Sequence, residues 1–92
     1  MFDESIAALI AIKFRGSLDC KYVLTYGFDP IEYFNDDFEL EYFLNIHEIE
    51  HGVAFEDNPI HGPIPYYTFS DSNYHIVDLL EEKECRIYYS LD

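Results

Sequence analysis

Lysine and arginine are scarce in this chain of 92 residues. There are five in all, Lys13, Arg15, Lys21, Lys83 and Arg86, and none lies between Lys21 and Lys83. Binding to DNA or RNA rests on such side chains at the phosphates, so their scarcity argues against direct nucleic-acid contact. It argues equally against adsorption to anionic membrane surfaces. Only two cysteines occur, Cys20 and Cys85, too few for a disulfide framework. Both stand in apolar, strand-like runs and read as buried thiols in a reducing cytosol. No apolar run approaches the roughly 20 residues of a membrane-spanning helix. The run 6–12 is short and follows acids rather than basic residues, unlike a secretory signal. Gly-rich phosphate loops and a Ser-based nucleophile elbow are also missing.

What is present is acid and aromatic surface. Nineteen Asp and Glu give a formal net charge of −14 and a pI near 4.3. Fourteen carboxylates fall between Lys21 and Lys83: Asp29, Glu32, Asp36, Asp37, Glu39, Glu41, Glu48, Glu50, Glu56, Asp57, Asp71, Asp78, Glu81 and Glu82. Disorder needs low hydrophobicity with high charge, whereas 49% of this chain is hydrophobic and 18% aromatic. The length suits one acidic globular domain over residues 1–92. Like charge held on a folded surface costs self-repulsion, which points to a positively charged partner.

Periodicity sketches the elements. After a candidate N-cap at Asp3, the apolar start fits a short helix from Glu4 to about Leu9 or a buried strand. Ile10, Ile12 and Phe14 alternate with Ala11 and Lys13. Cys20, Tyr22, Leu24 and Tyr26 alternate in turn, so 10–14 and 20–26 read as a β-hairpin. Asp29, Pro30 and Glu32 form a capping-box pattern that predicts a helix from Pro30 to about 35. Pro59, Gly62, Pro63 and Pro65 suggest a loop or edge connection. Cap-type residues around Asp71, followed by Tyr74, Val77 and Leu80, predict a helix over 71–83. Cys85, Ile87, Tyr89 and Leu91 alternate as a last strand over 85–91.

Residues 38–55 fit two templates. As strands over 38–46 and 48–55, Phe38, Leu40, Tyr42, Leu44 and Ile46 share one face, with Glu39 and Glu41 opposite. Glu48 and Glu50 repeat that geometry after a phase switch near His47. As a helix continuing from Pro30, the stripe Ile31, Phe34, Phe38, Tyr42, Ile46, Ile49 and Val53 leaves Leu40, Phe43 and Leu44 on the far side. The strand template leaves only Phe43 out of place, against three large apolar residues for the helix, so strands are expected and the helix from Pro30 should stop near 35–37.

The alternative matters because His47-Glu48-Ile49-Glu50-His51 matches H-E-x-x-H. On a helix His47 and His51 share a face and could bind zinc, with Glu48 as base toward the bound water. Asp57, six residues past His51, sits where some zinc peptidases place a third ligand. Against this, Glu50 charges an interior position of the motif, and strands would separate the two histidines by about 13 Å. His61 reads as a loop histidine and His75 as one on a helix surface. Among nine tyrosines, the pairs Tyr66/Tyr67 and Tyr88/Tyr89 each expose at least one member on a strand, a good interface anchor.

The resulting expectation is an α+β fold with a small antiparallel sheet and one or two helices packed on one face. The five basic residues, all near the chain ends, should lie together away from the acids. Asp36, Asp37, Glu39, Glu41, Glu48, Glu50, Glu56 and Asp57 are the candidate partner-binding residues. Regularly spaced carboxylates on rigid elements imitate the charge row of a nucleic-acid backbone. In size, acidity and aromatic content the chain resembles the small DNA-mimic inhibitors of phages and mobile elements, of the anti-CRISPR and anti-restriction type. That resemblance, one of class rather than motif, implies a non-enzymatic inhibitor with no cofactor. Its partner would be a basic protein, such as a nuclease or nucleic-acid-guided effector, in the cytoplasm (that of the host cell if phage-encoded). The competing expectations are an immunity protein against a nuclease toxin and a minimal zinc peptidase. A homodimer stays open.

Overall fold

Tyr22, Val23, Leu24 and Thr25 are all buried, so this short run of β-branched, aromatic and aliphatic residues is covered on both faces. It forms the middle of the fold. A computed structural model describes residues 4–15, 20–60 and 62–86. Within them the order is α1 (Glu4–Arg15), β1 (Tyr22–Tyr26), β2 (Asp29–Phe34), α2 (Asp37–Ile46), β3 (His51–Asn58), β4 (Gly62–Phe69), β5 (Tyr74–Asp78) and β6 (Lys83–Glu84).

Strands β2, β1, β5 and β6 lie side by side in that order, and every pairing is antiparallel. Strands β3 and β4 form a separate hairpin. The Tyr67 N–H donates to the Cys85 carbonyl at 2.9 Å, and a parallel bridge joins Tyr67 to Arg86. The hairpin is thereby stitched to the chain just past β6.

The two faces of the central sheet have different covers. Tyr22, Leu24 and Ile76 meet Leu40 and Leu44 of α2, Tyr67 and Phe69 of β4, Phe34 and Cys85. Val23, Val77 and Leu79 meet Ala7, Ile10 and Ala11 of α1. Alternate residues of β1 and β5 are apolar on both sides, so each face recruits its own helix. The expected α+β class with an antiparallel sheet stands, with its two helices on opposite faces.

Several sequence expectations change element. Residues 10–14 belong to α1 rather than to a hairpin strand. Ala7, Ala8 and Ala11 favour helix, and the three-and-four spacing of Ala7, Ile10 and Ala11 supplies the buried stripe. Residues 30–34 lie in β2, not helix, because a two-residue loop at Gly27-Phe28 folds them back onto β1. Gly27 takes φ 63° in that loop, which glycine adopts without the Cβ penalty. Residues 38–46 are α2, not a strand.

Residues 74–78 are β5 where a helix was expected. Asp71 accepts from the Asn73 N–H and closes a turn instead of capping a helix. His75 is therefore a buried strand residue, paired with Glu84 and beside Arg86, not a helix-surface one. The proline-rich segment makes β4, tolerated in a two-stranded hairpin because the missing N–H groups need not serve a neighbour on each side. Tyr67 is buried and Tyr66 half-buried. His61, Tyr88, Tyr89 and residues 87–91 of the expected last strand lie outside the described residues.

The first and last described elements, α1 and β6, pack together. Helix α1, which carries Lys13, packs against β5 and β6. The Leu79 N–H donates to the Lys21 carbonyl at 2.7 Å, beside β6 with Lys83. Cys85 is a buried free thiol and Cys20 a half-buried one; burial pushes the Cys85 thiol far above its ordinary value.

Candidate functional site

Helix α2 organises the acidic surface. Its start is a capping box: the Asp36 carboxylate accepts from the Glu39 N–H at 2.9 Å, and Glu39 accepts from the Asn35 N–H at 2.9 Å. The same D-x-x-E spacing occurs at Asp29 and Glu32, but there Pro30 and its neighbours are paired to β1. Two of the candidate carboxylates, Asp36 and Glu39, thus have a structural duty as well as a charge.

The end of α2 is a Schellman motif. The Ile49 N–H donates to the Leu44 carbonyl at 2.9 Å and the Glu48 N–H to the Asn45 carbonyl at 3.2 Å. Ile49 packs on the core beside Leu44. Glycine usually occupies the left-handed position of this motif, yet here it is Glu48, at φ 55°.

That ending separates the H-E-x-x-H residues. His47 is the C-cap, with its ring 4.1 Å from that of Phe43. His51 begins β3, and its Nδ1–H donates to the Ile49 carbonyl at 2.7 Å. The two histidines no longer share a helical face, and Glu48 sits in a left-handed turn between them. Among the described residues no group of three His, Cys, Asp or Glu is placed to hold a metal ion.

The expected carboxylate ladder is also rearranged. Glu39 and Glu41, two residues apart on a helix, point about 200° away from each other. Glu41 and Asp37 are half-buried; both lie near enough to Tyr67 to reinforce the effect of burial, which raises its phenol far above the ordinary 10. Glu48 and Glu50 fall in the connection to β3. Glu56 and Asp57 are consecutive on β3 and so take opposite faces. What the fold does bring together is acid at both ends of one helix. Asp36, Asp37 and Glu39 stand at its start, and Glu48 and Glu50 follow its end, about 15 Å away.

No basic residue occupies the last turn of α2, although the negative end of a helix favours Lys or Arg. Six of the eight candidates are exposed: Asp36, Glu39, Glu48, Glu50, Glu56 and Asp57. None of the eight has an ion-pair partner among the described residues.

Between these acidic ends lies a feature that charge counting missed. Phe38, Tyr42 and Ile46 follow one another at steps of four and are 78%, 63% and 56% exposed. The opposite stripe, Leu40 and Leu44, is fully buried. The helix is apolar on two sides and buries only one. Beside the exposed stripe, a groove of about 330 Å³ is lined by Glu32, Tyr33, Phe34, Phe38, Glu39, Tyr42, Phe43 and Ile46. Phe34 and Phe43 pack edge to face in it, with ring centres 5.4 Å apart. The sequence signal was there, since a helical reading of 38–46 generates two apolar stripes.

No protein-family model, curated protein or solved structure matches the chain at a significant level.

Proposed function

We propose that this protein is a non-enzymatic inhibitor whose acidic surface occupies the basic, nucleic-acid-binding site of another protein, such as a nuclease or nucleic-acid-guided effector. One observation carries the reading. Of the fourteen carboxylates between Lys21 and Lys83, nine are exposed (Asp29, Glu32, Asp36, Glu39, Glu48, Glu50, Glu56, Asp57 and Asp71), and none of the nine has an ion-pair partner among the described residues.

Charge left in that condition costs stability and is suited to a cationic surface. Glu50 and Glu56 are six residues apart on nearly extended chain, about 20 Å, so the acids span a distance comparable to a protein's nucleic-acid groove. Such a field speeds association and makes it sensitive to salt.

The test is affinity capture on the immobilised protein from the source-cell lysate. The retained partner is expected to bind nucleic acid, and to be released both by excess duplex DNA and by added salt. The combined variant Glu48→Gln, Glu50→Gln, Glu56→Gln, Asp57→Asn should keep its circular dichroism spectrum and lose at least about tenfold in affinity, roughly 1.4 kcal/mol. A partner that holds DNA and this chain at the same time would sink the proposal. So would unchanged affinity in the four-residue variant.

A further inference from the structure

We infer that the groove between α2 and β2 is the docking site for a basic amphipathic helix of the partner protein. This rests on the proposed function for its partner and names the element of that partner which is gripped.

The groove combines two chemistries that select such an occupant. Its wall and floor are apolar, formed by the exposed stripe Phe38, Tyr42 and Ile46 with Phe34 and Phe43 beneath. A contiguous exposed apolar surface of this kind marks an interaction site more often than an accident of packing. Its charges are all of one sign: Glu32 and Glu39 line it, Asp36 stands beyond one end of the stripe and Glu48 beyond the other. No Lys or Arg is among the lining residues. An apolar core with an acidic rim fits a ligand with an apolar face bordered by Lys and Arg.

The geometry favours a helix over an added strand. Strand β2 is the edge of its sheet, but Pro30 lacks an N–H and the register shifts between Leu24 and Thr25. Proline and an irregular register are features that blunt an edge against further pairing. The stripe runs eight residues along α2, about 12 Å, which corresponds to roughly two turns of a partner helix. The groove has room for a few large side chains and not for a whole helix, so the partner would lie across it with one face inserted. A second copy of this chain would bring Glu32 and Glu39 against another acidic surface, which disfavours that occupant.

The probe is a synthetic helix of about 18 residues, long enough to fold on contact, with Leu on one face and Lys on the other. A control of the same composition has the order scrambled so that Leu forms no face. Amide chemical shifts of this protein are followed as each peptide is added. The Leu/Lys helix is expected to move the resonances of residues 32–34 and 38–46, and the scrambled peptide to bind at least about tenfold more weakly. Phe38→Ala with Tyr42→Ala, both at exposed positions, should weaken the helix by about tenfold or more while leaving the protein's own spectrum folded.

Equal binding of the scrambled peptide would overturn the inference, as would shifts centred on Glu48, Glu50 and Glu56 or an absence of binding. Concentration-dependent shifts at the groove without peptide would assign the face to a second copy, against the inference. The two proposals separate cleanly. A captured partner lost by the four-amide variant but kept by Phe38→Ala with Tyr42→Ala would refute the groove alone. A groove that holds the Leu/Lys helix, in a protein whose partner is indifferent to duplex DNA, would refute only the inhibitor reading.

Discussion

The hydroxyl of Tyr26 donates to the Asp71 carboxylate at 3.0 Å across 45 residues of sequence. This bond ties the end of β1 to the turn between β4 and β5. The turn is held further by the Asn73 N–H, which donates to Asp71 at 3.0 Å, and by the Gly27 N–H on the Asn73 carbonyl at 2.7 Å. The Asn73 N–H and then the Tyr26 hydroxyl keep the Asp71 carboxyl below its ordinary value of 3.8.

A carboxylate with a lowered folded pKa contributes stability that is complete above its unfolded value, near 4, and lost as pH falls through the folded one. Tyr26→Phe removes one of the bonds responsible without altering net charge. The urea midpoint of this variant should therefore fall below that of the unaltered protein at pH 7, and the gap should narrow in strong acid. Because both groups are at the surface the difference will be small, and a gap that widens in acid would contradict the assignment.

Helix α2 offers a sharper contrast within a single turn and a half. Leu44 is fully buried against the sheet, whereas Phe38 is 78% exposed. Leu44→Ala should cost about 2–5 kcal/mol through lost transfer energy and a residual cavity. Phe38→Ala should stay within about 0.5 kcal/mol. Equilibrium urea unfolding of the two variants checks the orientation of the helix, and similar losses in both would mean that the stripe at Phe38 is buried after all.

Glu48 holds the position in the helix ending that glycine usually takes, at φ 55°. A residue with a Cβ is disfavoured there by about 1–2 kcal/mol, partly offset in the substitution by glycine's freer unfolded chain. Glu48→Gly should consequently raise stability by about 1 kcal/mol, seen as a higher urea midpoint at unchanged slope. Retention of a strained glutamate suits a residue kept for its charge. A loss of stability in Glu48→Gly would show that its side chain has a structural contact.

The antiparallel α+β class was legible because β1 and the strand around Val53 carry alternating β-branched and aromatic residues, whereas the prolines of β4 read as a loop or edge connection. Element type failed where burial on two sides erased the period. Tyr74, Val77 and Leu80 fit helical spacing, yet Tyr74–Asp78 is a strand sandwiched by both cores. The pair Asp29 and Glu32 and the pair Asp36 and Glu39 have the same capping pattern, and only tertiary pairing of β2 with β1 decides between them. The helix ending at His47 carried no glycine to announce it. The acidic residues themselves were visible from composition. Their spacing was not, because a carboxylate's direction depends on whether its backbone is helix or strand. The apolar stripe was hidden by the same ambiguity, since a strand reading of 38–46 turns Phe38, Tyr42 and Ile46 inward with Leu40 and Leu44.

Beneath α2, the hydroxyls of Tyr22 and Tyr67 are buried with no hydrogen-bond partner among the described residues. Both rings belong to the central core. Burial raises both phenols far above their ordinary value of 10, Asp78 adding to the effect at Tyr22 and Glu41 and Asp37 at Tyr67. An unpartnered buried hydroxyl costs about 1–3 kcal/mol relative to one in water, so Tyr22→Phe and Tyr67→Phe should each be neutral or stabilising, by up to about 1 kcal/mol. The sign of the pH dependence follows from the raised values. Stability from keeping these phenols protonated is fully present below the unfolded value and is lost as pH rises above 10, where the unfolded chain sheds protons that the folded one retains. Alkaline unfolding should therefore release phenolate absorbance from these two tyrosines in one cooperative step. The double phenylalanine variant should unfold at higher pH than the unaltered protein. Early, non-cooperative titration of Tyr22 or Tyr67 in the folded protein would mean that its hydroxyl reaches water, and that the acidic helix above it opens.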